Sequence, residues 1–315
     1  MEHTKAQDDF PEILKIAADA CDRVRRSASH VVHLEESDAA TSISGAPIRL
    51  PRDRLGLFKP TDVSFTISDV PGAYAGGTVV LAIRGSSTWM DWMVNFNYGM
   101  VNAEDLTGIS GLKAHAGLYA VASLMRQKTL DALKSHTGFP HRQVEGKKPR
   151  LVFTGHSAGG AVAALLWSCC VGNKRLQQQA GNTSVFPTRF ASIHCITFGA
   201  PPITSEPLAP FRRHSPTDEQ DMMVSIINEG DPVPRADIAY VETLLHLYAK
   251  ANRDNGFVQQ RSHLCRLPPM SLHVGASILG LRLVAADTEV DGTYLPPQDG
   301  WQVYGVVDHC WSLVA

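Results

Sequence analysis

A serine set in Gly155-His156-Ser157-Ala158-Gly159-Gly160 is the residue of this chain best placed to do chemistry. Gly-x-Ser-x-Gly is short enough to arise by chance, so the flanks decide its meaning. Before it stands Arg150-Leu151-Val152-Phe153-Thr154, a short apolar run with the character of a buried strand. After it, residues 158–170 are rich in Ala and Leu and predict a helix. Strand, sharp turn and helix in that order hold a serine hydroxyl clear of a sheet, beside the backbone N–H groups of a helix start. The flanking glycines suit this turn, because a Cβ there would collide with the neighbouring strand or helix. The blander alternative makes Ser157 only a helix cap in a glycine-rich turn.

A serine hydroxyl is a weak nucleophile and needs a base, itself oriented by an acid. In a strand–elbow–helix setting the chain order is serine, acid, histidine. Met223-Val224-Ser225-Ile226-Ile227-Asn228-Glu229-Gly230-Asp231-Pro232-Val233-Pro234 offers the acid: an apolar strand runs into Asp231, and two prolines stop it there. Glu229 and Asp237 are nearby competitors, and turn initiation before proline is the plainer role for Asp231. Of the later histidines, His246 lies in an apolar context and His273 opens the strand-like run 271–283. His309 follows the strand-like Trp301-Gln302-Val303-Tyr304-Gly305-Val306-Val307 in a terminal loop, and is the expected base, with His273 and His263 as the alternatives. Six residues follow it.

An oxyanion needs two or more fixed donors. The backbone N–H of Ala158 is one, and the loop after Leu81-Ala82-Ile83-Arg84-Gly85 supplies the other at Ser86, whose hydroxyl could add a bond. That stretch could equally be a plain strand-end turn. Directly beyond it, Trp89, Trp92, Met93 and Phe96 recur at i, i+3, i+4 and i+7, one apolar helical face opposite Asp91 and Asn95. Such a stripe is ordinarily core; beside an oxyanion site it could also be a short helical lid, touching substrate and, transiently, a membrane or lipid-droplet surface.

The elements that must position these groups alternate. A helix is expected at 10–26, strands at 63–67 and 78–83, a helix at 115–136, a strand at 150–154, and further strands at 192–198, 223–228 and 272–285. That order argues for an α/β fold with a mainly parallel sheet covered by helices on both faces. We divide the chain into 1–60, a helix and polar lead-in packed on the rest, and 61–315, a single catalytic domain. The 315 residues carry 29 Lys+Arg against 31 Asp+Glu, a net charge of −2, which leaves no cationic excess for nucleic acid. No run approaches the roughly 18 apolar residues of a membrane span. The polar start Met1-Glu2-His3-Thr4-Lys5 lacks a secretory apolar core, so the expectation is an intracellular, cytoplasmic protein. The 6 cysteines show no zinc spacing and read as buried free thiols. Nothing in the set calls for a metal or organic cofactor, and nothing in it speaks to oligomeric state.

Five ordered motifs now coincide: Arg84-Gly85-Ser86-Ser87 with Asp91-Trp92; His115-Ala116-Gly117-Leu118; the serine motif; Ile196-Thr197-Phe198-Gly199-Ala200-Pro201; and Asn228 through Pro234. Together, over residues 60–315, they resemble the class 3, fungal-type lipase family. The resemblance implies an α/β-hydrolase fold and hydrolysis of lipid esters such as acylglycerols. It implies Ser157 as nucleophile, Asp231 as acid, Ser86 as oxyanion donor, and 89–96 at the lid position. Family members usually continue past the histidine into a short helix, where this chain has its six-residue tail. A phospholipase A1, a small-ester carboxylesterase, or a catalytically weak binding or signalling module stand as the alternative functions.

Overall fold

Along Thr78–Ile83, Val79, Leu81 and Ile83 alternate with Val80 and Ala82, and all five are buried, so both faces of this strand must be covered. The computed structural model describes residues 9–26, 30–34, 61–70, 74–85, 99–136, 147–179, 189–208, 221–228, 230–236, 277–283 and 301–308, and shows what covers them. In chain order the elements are α1 (Phe10–Arg26), β1 (His30–Leu34), β2 (Thr61–Val70), β3 (Thr78–Ile83), β4 (Met100–Asn102), α2 (Glu104–Thr107), β5 (Lys113–His115), α3 (Ala116–His136), β6 (Arg150–His156), α4 (Ala158–Gln179), β7 (Ile193–Phe198), β8 (Met223–Asn228), a 3-10 turn (Val233–Arg235), β9 (Ser277–Leu283) and β10 (Trp301–Asp308).

Eight strands form one sheet in the order β1-β2-β3-β6-β7-β8-β9-β10. From β3 through β9 the neighbours are parallel; β1–β2, β2–β3 and β9–β10 are antiparallel. The α/β class with a mainly parallel sheet is therefore as expected. On one face α3 and α4 bury Val79, Leu81, Ile83, Leu151, Phe153, Ile193 and Cys195. On the other, α1 lays Ile13, Ile16, Ala17, Ala20 and Val24 over Val80, Ala82, Val152, Ile196 and Ile226. Each fully buried aliphatic side chain contributes about 1.5–3 kcal/mol, so the elements flanking the serine motif rest on the densest part of the core. α4 is buried all round over 159–172 because α2, α3 and the sheet enclose it. Arg150, at the start of β6, pairs with Asp9 at the start of α1, and its guanidinium lies 3.8 Å from the Tyr74 ring centre.

Two pieces of the sheet structure differ from the sequence expectation. β1 and the small β4–β5 sheet were not foreseen: strands of five and three residues carry too few positions for a period to register. Of the strand expected at 272–285, residues 277–283 are described and pair with β8 from Val224, while 272–276 and 284–285 lie outside the described residues. The lid segment 89–96 lies outside the described residues.

Cys169, Cys170 and Cys195 are buried free thiols, and Cys21 is a half-buried one whose Sγ lies 3.0 Å from Thr154 Oγ1. Burial pushes the Cys21 thiol up to about 12, against the opposing pull of the Thr154 contact. Burial likewise raises Cys170 and Cys195, the latter two helped by Cys169 and Cys21 respectively. None of these three is a thiolate nucleophile at neutral pH. Cys265 and Cys310 lie outside the described residues. Among the described residues, no helix is long and apolar enough to cross a membrane.

Candidate active site

Buried through Gly155, β6 comes into the open at His156, and the chain turns at Ser157. Ser157 has φ 55°, making it the one non-glycine with a left-handed backbone among the described residues. Three backbone bonds hold it there. Its N–H donates to the Phe198 carbonyl at the end of β7 (2.9 Å), and its carbonyl accepts from the N–H groups of Gly160 (2.9 Å) and Ala161 (3.2 Å) in the first turn of α4. The surroundings thus impose a conformation that costs an L-residue about 1–2 kcal/mol. Ser157→Gly should relieve it, melting higher than Ser157→Ala by the equivalent of about 1 kcal/mol, with thermal unfolding as the measurement. Equal melting of the two variants would remove the strain argument.

The glycines of the motif are there for close approach. A Cβ on Gly155 would sit 2.5 Å from the Gly159 carbonyl carbon. One on Gly159 would strike the Ile83 carbonyl oxygen and stand 2.7 Å from the Arg84 carbonyl carbon. The end of β3 and the start of its following loop are therefore packed directly on the elbow; Gly85 would meet the His156 carbonyl at 2.5 Å if it carried a Cβ. Ala158, the expected oxyanion donor, is the first residue of α4, where an N–H has no carbonyl within the helix to bond. Ser86, the second donor, follows Gly85 and lies outside the described residues, as do Trp89, Trp92, Met93 and Phe96.

The acid candidate is built by a turn. After β8, Gly230 takes φ 81° and Asp231 donates its N–H to the Asn228 carbonyl (3.1 Å). The Asp231 Oδ1 accepts from the Val233 N–H at 2.9 Å, a short side-chain turn that leads into the 3-10 turn with Pro232 and Pro234. This folds the half-buried carboxylate back across the end of β7. Its Oδ2 comes 2.7 Å from where a Cβ of Gly199 would be. Phe198 thus holds the nucleophile candidate and the next residue touches the acid candidate, so the structure brings Ser157, Ala158 and Asp231 to one edge of the sheet, the C-terminal edge of its parallel strands. Glu229 and Asp237 lie outside the described residues.

His309, His273, His263 and His246 also lie outside the described residues. The strand before His309 is described: β10 runs antiparallel to β9, and Asp308 pairs with Ser277, which pairs with Val224 near the start of β8. The elbow and Asp231 stand beyond the other end of β8. Of the remaining motifs, His115 is buried at the start of α3, where its Nδ1 accepts from the Leu118 N–H at 3.4 Å and its own N–H donates to Ile203. It anchors the helix. Within Ile196-Thr197-Phe198-Gly199-Ala200-Pro201, the carbonyl of Phe198 and the bare Cα of Gly199 are the parts that touch the site. A glycine one residue past a buried strand is the one signal that pointed there.

Residues 80–240 match the family described as lipase (class 3). A phospholipase A1 of Arabidopsis thaliana, the chloroplastic PLIP2, is 30% identical over 89 residues, taking in 28% of this chain and 11% of that protein. The chain therefore spans a small part of that relative's length. Among solved structures, a triacylglycerol lipase from Penicillium expansum aligns over 89% of this chain and 81% of its own, at 16% identity and a TM-score of 0.44. A lipase from Rhizopus microsporus var. chinensis aligns over 74% and 70%, at 15% identity and a TM-score of 0.39. With the family matched over just over half of its residues, from β3 past the Asp231 turn, the chain belongs to the class 3 lipase family.

Proposed function

We propose that this chain is a serine carboxylic-ester hydrolase acting on lipid esters through an acyl-enzyme. The observation that carries the reading is Ser157 itself: a strained, left-handed serine between a buried strand and a long helix, with a carboxylate turned towards the same strand end. Strain kept at one residue by three backbone bonds is the mark of a position selected for where it aims its side chain.

In this reading His309 takes the Ser157 proton as Oγ attacks the ester carbonyl carbon, and the carbonyl oxygen becomes an oxyanion bonded by the Ala158 N–H and Ser86. The imidazolium, oriented by Asp231, then gives its proton to the leaving alcohol as the carbon–oxygen bond breaks. Water repeats the two transfers, releasing the fatty acid and restoring Ser157. Segment 89–96 acts as the lid, its apolar face meeting lipid at a membrane or droplet surface. Cys169, Cys170 and Cys195, free and buried among the described residues, fit an intracellular place of work.

A second reading, phospholipase A1, is favoured by the match to PLIP2. One set of assays separates the candidates. The purified chain is offered emulsified triacylglycerol, phosphatidylcholine vesicles and soluble p-nitrophenyl esters of short and long acyl chain, beside a fluorophosphonate probe. The expected result is covalent labelling at Ser157 and release of fatty acid from emulsion, rising when substrate passes its solubility limit. Release confined to the sn-1 chain of phosphatidylcholine would select the phospholipase, and turnover of short soluble esters alone a carboxylesterase. A chain that is neither labelled nor active on any of them would be a binding or signalling module, and the hydrolase reading would fall.

A further inference from the structure

Gly199 bears directly on the acid candidate. It has φ 53°, and its N–H donates to the Ile226 carbonyl at 2.8 Å, so its backbone is fixed to β8, the strand that leads to Asp231. The place its Cβ would occupy is 2.7 Å from Asp231 Oδ2, 3.9 Å from Asp231 Cγ and 3.8 Å from His156 Nε2. The carboxylate is therefore seated in the space of a missing methyl group, and the His156 imidazole reaches the rim of the same space. Its other oxygen is tied to the Val233 N–H. A carboxylate held at one oxygen by a turn and abutting a bare Cα at the other depends on residue 199 for its orientation.

We propose that Gly199 is the positioning residue of the acid: the absence of a side chain at 199 sets where Asp231 Oδ2 points, and through it the orientation of the base. The proposal rests on the reading of Asp231 as the acid. A Cβ at 199 meets the tip of a rotatable side chain rather than backbone, so the carboxylate gives way and the fold does not. The Val233 bond is strained or lost as it turns. Nucleophile and acid then share one support, since the Phe198 carbonyl holds Ser157 and the following residue seats Asp231.

The test is Gly199→Ala, assayed against Gly77→Ala and Asp231→Asn. Gly77 has φ 74° with nothing within 4 Å of a Cβ, so its variant carries the same backbone strain and no crowding. Gly199→Ala should lose about 10²-fold in kcat with KM little changed, as a displaced catalytic group does. The acid limb of its kcat/KM profile should move to lower pH by about half a unit, because a carboxylate further from the imidazolium raises its pKa less. Placed in the Asp231→Asn background, the same change should cost nothing further. Gly77→Ala should lower Tm and leave kcat and the limb unchanged. Gly199→Ala with parental kcat and limb, or with a loss that multiplies onto Asp231→Asn, would overturn the proposal. Asp231→Asn with parental turnover would instead overturn the acid, and the seat with it. If Gly199→Ala does not fold, Gly199→Asn brings the same Cβ on a residue that tolerates this φ, and the same outcomes apply.

Discussion

Ser157→Ala is expected to lower kcat on every ester this chain hydrolyses by about 10⁵–10⁶-fold while leaving the protein folded. The size follows from what is removed. Without Oγ no acyl-enzyme forms, and what remains is binding plus the oxyanion donors, which assist direct attack by water by a far smaller factor. The fold survives because Ser157 is held by its backbone: its N–H on Phe198 and its carbonyl on Gly160 and Ala161 are bonds that alanine keeps. The φ of 55° is equally accessible, at equal cost, to alanine. Stopped assays at high enzyme concentration give kcat, and circular dichroism with thermal melting checks the fold. The fluorophosphonate adduct should vanish in the variant. Turnover within tenfold of the parent would remove Ser157 from the chemistry.

What could be read in the chain and what could not divides by distance along it. The elbow was legible because strand, turn and helix lie within some thirty consecutive residues and each announces itself locally: apolar run, two glycines, Ala/Leu-rich helix. The turn at Asp231 was legible for the same reason, as the place where an apolar strand meets two prolines. The faces of the sheet followed from alternation along β3 and from the α1 stripe of Ile13, Ile16, Ala17, Ala20 and Val24. Contacts that join residues far apart were not legible. Nothing in Phe198 says that its carbonyl will bond residue 157, and nothing in Gly199 says that its vacant side will meet residue 231. Both depend on β6, β7 and β8 lying side by side in register, with Phe198 opposite His156 and Ile226. β1 and the β4–β5 pair escaped because short strands take their stability from partners rather than from their own pattern.

The base is where sequence order and strand register pull apart, and a histidine series separates them. His309→Ala is expected to cost about as much as Ser157→Ala, roughly 10⁵–10⁶-fold in kcat, with His263→Ala and His273→Ala close to the parent. A base in this site has to bond Ser157 Oγ through one ring nitrogen and Asp231 through the other, each at about 2.6–3.2 Å. Asp231 keeps Oδ2 for that purpose, since Oδ1 accepts from Val233. Order along the chain assigns the role to His309, the histidine that follows the last strand. Yet β10 delivers Asp308 beside Ser277, level with the start of β8, whereas Asp231 stands past its end at Asn228. The interval from Val224 to Asn228 along β8 is about 13 Å at 3.3 Å per residue, more than one imidazole can bridge. Turnover within tenfold of the parent in His309→Ala would remove His309 from the chemistry. Among the described strands β10 pairs with β9 alone, and its register slips between Val303 and Gly305. Were the loss to fall on His263 instead, the β10 register would be the working one. The base would then come from the chain between β8 and β9, which sets out from the same edge as the elbow.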